Sequence, residues 1–376
     1  MHIYLDNAAT TPMDPEVAKA MSEVIANCYG NPSAQHAIGR NAKGIMEMAR
    51  RKIAELINAK PSEIIFTAGG TEADNIAIRC AVYDLGVKHI ITSPIEHHAV
   101  LNTATELHEK GLAEMHLVSI NEKGEVDLNN LEQLAAKYPG SLITLMHANN
   151  EIGTLLDLKK VSEIAKRYNC LFHSDTVQTM GHYKIDVEEL GLDFLVCSAH
   201  KFNGPKGSGF LFLKNTHKIK PIITGGGQEK NLRAGTENFY GIVGLAKALE
   251  ISNAIIPEKQ KRLQALKSLM RDLIISEIPG VDFNGPAETD KSLYTVLNVS
   301  LPPNPSGDML LFKLDIEGVC ASGGSACSSG ASKGSHVLAA IHHPDNRTGV
   351  RFSFGKYTTE EDIRFAVEKL KKVVLE

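Results

Sequence analysis

The stretch Phe194-Leu195-Val196-Cys197-Ser198-Ala199-His200-Lys201 governs the reading of this chain: an apolar, strand-forming run passes through a small polar turn and ends on a lysine. A contiguous apolar run this short fits a strand covered on both faces. Outward from it, similar runs occur at Glu63 to Thr67, His89 to Ser93, Leu142 to Met146, Cys170 to Ser174 and Gly209 to Leu213. Longer amphipathic stretches separate them; Leu158, Val161, Ile164, Ala165 and Tyr168, for example, recur at three or four residues and share one helical face. Strand and helix in alternation predict an α/β protein with a mostly parallel sheet covered on both sides.

Beyond the last such unit, Pro257 to Ser276 carries Leu263, Leu266, Leu269 and Leu273 at helical spacing and leads towards a second domain. That domain is expected to hold a strand from Thr295 to Ser300 and a closing helix, which Thr358 and Glu361 introduce as a capping box and which Ile363, Val367, Leu370 and Val374 line. The expected division is a large domain over 15–256 and a smaller α+β domain made of 1–14 plus 257–376. No internal repeat or low-complexity tract interrupts this order.

Composition narrows the function. The 376 residues carry a net charge of −4, with 40 Lys and Arg against 44 Asp and Glu, which leaves no basic face for nucleic acid or an anionic membrane. The six cysteines, Cys28, Cys80, Cys170, Cys197, Cys320 and Cys327, form no C-x-x-C pair. The N-terminus lacks the basic and apolar regions of a signal peptide, and no run of 18 apolar residues follows. Small-molecule chemistry in a reducing cytoplasm is the expectation.

Five segments carry chemistry. Lys201 closes a strand where an unpaired ammonium is costly; it is either a snorkelling surface lysine or an amine that forms a Schiff base with pyridoxal phosphate. Asp175, in His173-Ser174-Asp175-Thr176-Val177-Gln178, ends the strand before it and can meet Lys201 in the crevice at the strand ends, holding a pyridine nitrogen protonated, or it is simply a turn-former. Thr67-Ala68-Gly69-Gly70-Thr71-Glu72 joins a strand to a helical stretch, so backbone amides and a hydroxyl there suit a phosphate, though a capped Gly-rich turn reads the same way. His97, in Glu96-His97-His98, could stack on a planar cofactor or move a proton. Neither that pair nor His342-His343 has the i, i+4 spacing of metal ligands on a helix, and no metal is expected. Finally, Cys327 lies in Gly323-Gly324-Ser325-Ala326-Cys327-Ser328-Ser329-Gly330, the setting of a mobile, reactive thiol, whereas Cys80, Cys170 and Cys197 fall on apolar faces and Cys28 and Cys320 are left undecided.

Together with Tyr4-Leu5-Asp6-Asn7-Ala8-Ala9-Thr10-Thr11-Pro12, Gly30-Asn31-Pro32-Ser33, His147-Ala148-Asn149-Asn150-Glu151-Ile152-Gly153 and Arg233-Ala234-Gly235-Thr236, these segments occur in one order over nearly the whole chain. In that combination the sequence resembles the group I cysteine desulfurases of the NifS/IscS type. The resemblance implies a fold-type-I transferase dependent on pyridoxal 5'-phosphate, with a mostly parallel seven-stranded sheet in the large domain. It further implies Lys201 as the Schiff-base lysine, His97 on the ring, Asp175 at the pyridine nitrogen and Gln178 at the ring oxygen. Gly70, Thr71, Ser198 and His200 would hold the phosphate, and Thr236 would reach in from the partner of a homodimer. Asn150 and Arg351 would bind the substrate carboxylate, and Cys327 would take sulfur from L-cysteine as a persulfide for a protein acceptor such as an iron-sulfur scaffold. Selenocysteine lysis, another fold-type-I reaction or a non-catalytic homologue are the alternatives. The sequence departs from the family pattern at Gly323-Gly324 and at Ala234, and it ends at Glu376 without the tail that scaffold-docking relatives use.

Overall fold

The computed structural model describes residues 2–287, 292–304, 307–323 and 334–375. Cys327 therefore lies outside the described residues. The strands in chain order are β1 (Ile3–Tyr4), β2 (Ile64–Thr67), β3 (His89–Thr92), β4 (Glu114–Leu117), β5 (Leu142–Thr144), β6 (Leu171–Asp175), β7 (Phe194–Ser198), β8 (Gly209–Leu213), β9 (Asp282–Asn284), β10 (Val296–Leu301), β11 (Val319–Cys320) and β12 (Thr348–Ser353). The helices are α1 (Pro15–Asn27), α2 (Ala37–Leu56), α3 (Gly70–Tyr83), α4 (His98–Glu109), α5 (Leu128–Lys137), α6 (Leu158–Arg167), α7 (Phe239–Ala254), α8 (Ile256–Glu277), α9 (Leu310–Ile316), α10 (His336–Ala340) and α11 (Glu360–Leu375).

Seven strands form the large sheet in the order β2-β8-β7-β6-β5-β3-β4. Every pairing from β7 through β6, β5 and β3 to β4 is parallel, and β8 alone runs antiparallel to both its neighbours. The six strands expected from the sequence are all present; the seventh is Glu114–Leu117. Strand β7 shows why both faces are covered. Leu195 and Cys197 enter a core with α1, α2, α5, α6 and α7, while Phe194 and Val196 enter another with α3 and α4.

A second assembly combines the antiparallel sheet β12-β10-β9 with the pair β1-β11. Its core joins Leu5 to α8, β10, α9, β12 and α11. The start of α11 differs from expectation. Thr359 and Asp362 exchange the reciprocal capping bonds, at 3.2 and 2.9 Å, while Thr358 Oγ1 accepts from the Gly355 N–H and fixes the preceding turn. Asp362 lies one residue further into the helix than Glu361, three after Thr359, and its shorter side chain still reaches the cap.

This second core contains a titratable group. Lys267 of α8 is buried, donates to Ser292 Oγ and to the Leu293 carbonyl, and burial lowers its pKa to about 7, with Arg271 adding to the shift. The unfolded chain therefore binds more protons than the fold between about pH 7 and 10.5. Stability rises with pH through that window and is lost as pH falls towards 7. Lys267→Met removes a slope of up to about 1.4 kcal/mol per pH unit, read from urea midpoints between pH 7.5 and 9.5; an unaltered slope would show that Lys267 does not titrate there.

Candidate active site

The carboxyl ends of β3, β5, β6 and β7 open into one cavity of about 830 Å³. Lys201 stands there in the short 3-10 turn that follows β7, and its Nζ donates to the carbonyls of Ala8 and Ala9 at 2.6 and 2.8 Å. The N-terminal segment thus crosses over the lysine, tied down by hydrogen bonds from Thr11 Oγ1 to the His200 carbonyl and from Gln178 Nε2 to Ala8 O.

Asp175, the last residue of β6, lines the same cavity and accepts from the Val177 N–H at 2.8 Å. Burial raises its pKa, opposed by His97, the Val177 amide and Lys201. His97 caps α4, with Nδ1 accepting from the Ala99 N–H, and burial lowers its pKa, so its ring is neutral at pH 7. A flat neutral ring, a carboxyl and an amine thus face one space.

The anion end lies where β2 passes into α3. Gly69 sits at φ 154°, and a Cβ on Gly70 would come within 2.8 Å of Val177 Cγ2, so the turn packs against the strand ends only without side chains. Gly70 and Thr71 open the helix over the cavity, joined by Ser198 and His200. Free helical N–H groups, two hydroxyls and an imidazole form the donor set of a phosphate. Glu72 shapes the turn, accepting from the Ala68 N–H and from Arg233 Nε.

Opposite stands Arg351 of β12, which is 1% exposed. It donates from one guanidinium nitrogen to the Asn150 carbonyl and from the other to Asp6, and its buried Nε finds no hydrogen-bond partner among the described residues. Ser322 exchanges both backbone hydrogen bonds with Arg351, which sets the chain leading to residues 324–333 against this guanidinium. On the far side of those residues, Ser335 donates to Glu151, and His336 pairs with the Glu96 carbonyl.

The structure thus brings Lys201, His97, Asp175, Gln178, Gly70, Thr71, Ser198, His200, Asn150 and Arg351 together around one cavity. Thr236 is exposed and does not line it. Of the undecided cysteines, Cys28 is buried and Cys320 half-buried; the five described cysteines are free thiols, and burial raises Cys80 to about 12 and raises Cys197 as well.

Three positioning groups escaped the sequence reading. Glu96 links the ends of β3 and β5 through Ser93 Oγ and the Met146 N–H. Asn149 turns the backbone that presents Asn150, accepting from the amides of Glu151 and Ile152. Asp74 lies behind Asp175, its Oδ1 facing His173 Nε2 at 3.4 Å. That spacing would suit an ion pair, but burial holds Asp74 well above the carboxylate range and lowers His173 to about 3, so both are neutral. Asp74→Asn, which exchanges one neutral group for another, is expected to keep kcat/KM within about threefold and leave its pH profile unmoved between pH 6 and 8; a displaced profile would show that Asp74 is ionised.

The arrangement of a strand-end lysine, a buried carboxyl and a helix-capped anion site defines the fold-type-I enzymes that use pyridoxal 5'-phosphate, and the Gly69–Gly70 cradle with Asp175 fits that group. The family model for class-V aminotransferases matches residues 3–365. Cysteine desulfurase IscS of Dictyoglomus turgidum is 45% identical, over 99% of this chain and 94% of the relative, and that of Methanosarcina thermophila is 41% identical, over 99% and 92%. Among solved structures, a NifS-like protein superposes with a TM-score of 0.92 at 36% identity over 100% of both chains. SspA in complex with cysteine gives 0.81 at 31% identity, over 95% of this chain and 99% of that one. The chain belongs to the class-V aminotransferase family, in its branch of IscS- and NifS-type cysteine desulfurases.

Proposed function

We propose that the protein removes sulfur from L-cysteine, releasing L-alanine and leaving a persulfide on Cys327. The observation that carries this reading is the Ser322–Arg351 backbone pairing, which anchors the cysteine-bearing segment beside the one buried guanidinium of the cavity. Cys327 is five residues beyond Ser322, a reach of up to about 18 Å of extended chain.

Pyridoxal phosphate, when bound, supplies a carbonyl that condenses with an amine and a ring that accepts electrons. Arg351 holds the substrate carboxylate through a fork that Asp6 and the Asn150 carbonyl already orient. Lys201 Nζ anchors the cofactor and then carries the proton taken from the substrate's Cα. Asp175 would hold the cofactor's pyridine nitrogen protonated and His97 would cover its ring. The Cys327 thiolate attacks the substrate sulfur; the carbon–sulfur bond breaks with its electron pair passing to carbon, which takes up a proton. Free cysteine and the enzyme thiol thus become alanine and the persulfide, with no external oxidant or reductant.

The dimer, with Thr236 reaching the partner's phosphate site, accords with the exposure of that residue. A reducing cytoplasm accords with five free thiols. The persulfide sulfur passes to a protein acceptor, an iron-sulfur scaffold in this reading.

The holoenzyme is tested with sulfur-labelled L-cysteine. Alanine and protein-bound label are expected in equal amounts during the first turnover, with the label mapping to the peptide containing Cys327 and released by dithiothreitol. Label on another cysteine, or alanine without bound label, would overturn the proposal.

A further inference from the structure

We propose that His89, Glu114 and His116, at the edge of the large sheet and with His89 at the amino end of β3, opposite the carboxyl end that opens into the cavity, form a zinc-binding site with one position open to solvent. The strand pairing builds it. Glu114 and His116 lie two residues apart on β4 and so project from the same face, and the parallel register sets His89 of β3 beside Glu114.

The donor atoms converge. His89 Nδ1 lies 3.1 Å from His116 Nε2, and Glu114 Oε2 lies 3.5 Å from the first and 3.8 Å from the second. Both carboxylate distances are long for a direct hydrogen bond. With the 3.1 Å between the imidazoles they bracket the edge of about 3.3 Å that separates two ligands of a tetrahedral zinc with bonds near 2.0–2.1 Å. Two imidazoles and a carboxylate are the ligand set of zinc sites that keep a coordination position for water.

The surroundings hold the rings ready. Tyr138 stacks on the His116 ring, with centroids 4.0 Å apart and planes 13° from parallel, and its centroid is 4.5 Å from that of His89. Glu114 is largely exposed, so an ion can enter from solvent. A bound ion would join β4, which has a neighbour on one side only, to β3 through side chains as well as backbone.

The test titrates zinc sulfate into the cofactor-loaded Cys327→Ala chain, so that the Cys327 thiol cannot bind the metal. One zinc per chain is expected, with a dissociation constant on the order of micromolar, weakened at least about tenfold by His89→Ala or His116→Ala. Glu114→Gln, a change at an exposed side chain, is expected to weaken binding at least about fivefold. With Cys327 intact, His116→Ala is expected to form alanine at the parental rate, which places the site outside the reaction. No binding at a hundredfold excess of zinc, or binding untouched by the three substitutions, would overturn the proposal.

Discussion

The Lys201→Ala chain is expected to form no measurable L-alanine from L-cysteine, a fall of at least about 10,000-fold. The Nζ lies against two backbone carbonyls, those of Ala8 and Ala9, at the floor of the cavity. These carbonyl acceptors hold the amine in place, and Asp175 and His97 face the same space. Among the described residues, Lys206 is the other amine that lines the cavity, five positions beyond Lys201 on the chain that leads into β8. The neutral His97 ring is a weak substitute, because its nitrogen already accepts from the Ala99 amide. Borohydride fixes the cofactor covalently to the parent chain and is expected to fix none to Lys201→Ala. Cys327→Ser provides the contrast, keeping the covalently fixable cofactor and forming no persulfide. Residual alanine formation above one part in about a thousand by Lys201→Ala would displace the lysine from its role.

Glu229→Gln is expected to destabilise the fold by about 3–5 kcal/mol. Arg50 and Glu229 are both 2% exposed and form two parallel hydrogen bonds, at 2.7 and 2.8 Å. Glu229 Oε2 also accepts from the Phe66 N–H, Arg50 donates to the Ile64 carbonyl, and its guanidinium lies 4.4 Å from the centroid of the Phe66 ring. A glutamine at 229 turns one acceptor into a donor facing these N–H groups and leaves the buried guanidinium with only the half-buried Glu47, 3.1 Å from its Nε, as counter-charge. The same residue begins a run of three non-glycine positions with left-handed backbone, Glu229, Lys230 and Asn231 at φ 44°, 58° and 64°. With the ion pair weakened, that conformation rests on fewer bonds, such as that from Lys230 Nζ to the Pro61 carbonyl, and the segment that carries Arg233 to Glu72 loosens, so cofactor retention is expected to fall along with the urea midpoint. The pair Arg50→Met with Glu229→Met is expected to recover most of the loss. A Glu229→Gln midpoint within about 0.5 kcal/mol of the parent would show the pair to be dispensable.

What could be read from sequence was what is local. The strand ends, the Gly69–Gly70 turn and Lys201 announce themselves because an apolar run, a helix start and a stranded charge are neighbours in the chain. Strand β4 did not, since Glu114-Met115-His116-Leu117 has no β-branched residue and its edge position leaves polar side chains wet. The ion pair of Arg50 and Glu229 spans 179 residues and exists only once α2 and the loop after β8 have met. Asp74 reads as one more helical residue; only the packing of α3 on β6 sets it beside His173. The displacement of the α11 cap from Thr358 to Thr359 reflects two adjacent threonines, between which pattern alone does not choose.

The bonds from Arg351 to Asp6 and from Asn7 to the Ser353 carbonyl, the latter across 346 residues, also fix when the site can exist during synthesis. At 5–20 residues per second, Asn7 waits about 17–70 s for its partner to be made. The Arg351 side of the pocket therefore forms late, after the large sheet and the crossing of Ala8 and Ala9 over Lys201 have had time to form. Substrate binding accordingly waits on β12, and a ribosome stalled before it holds a folded sheet with its cofactor residues in place and an unfinished substrate pocket.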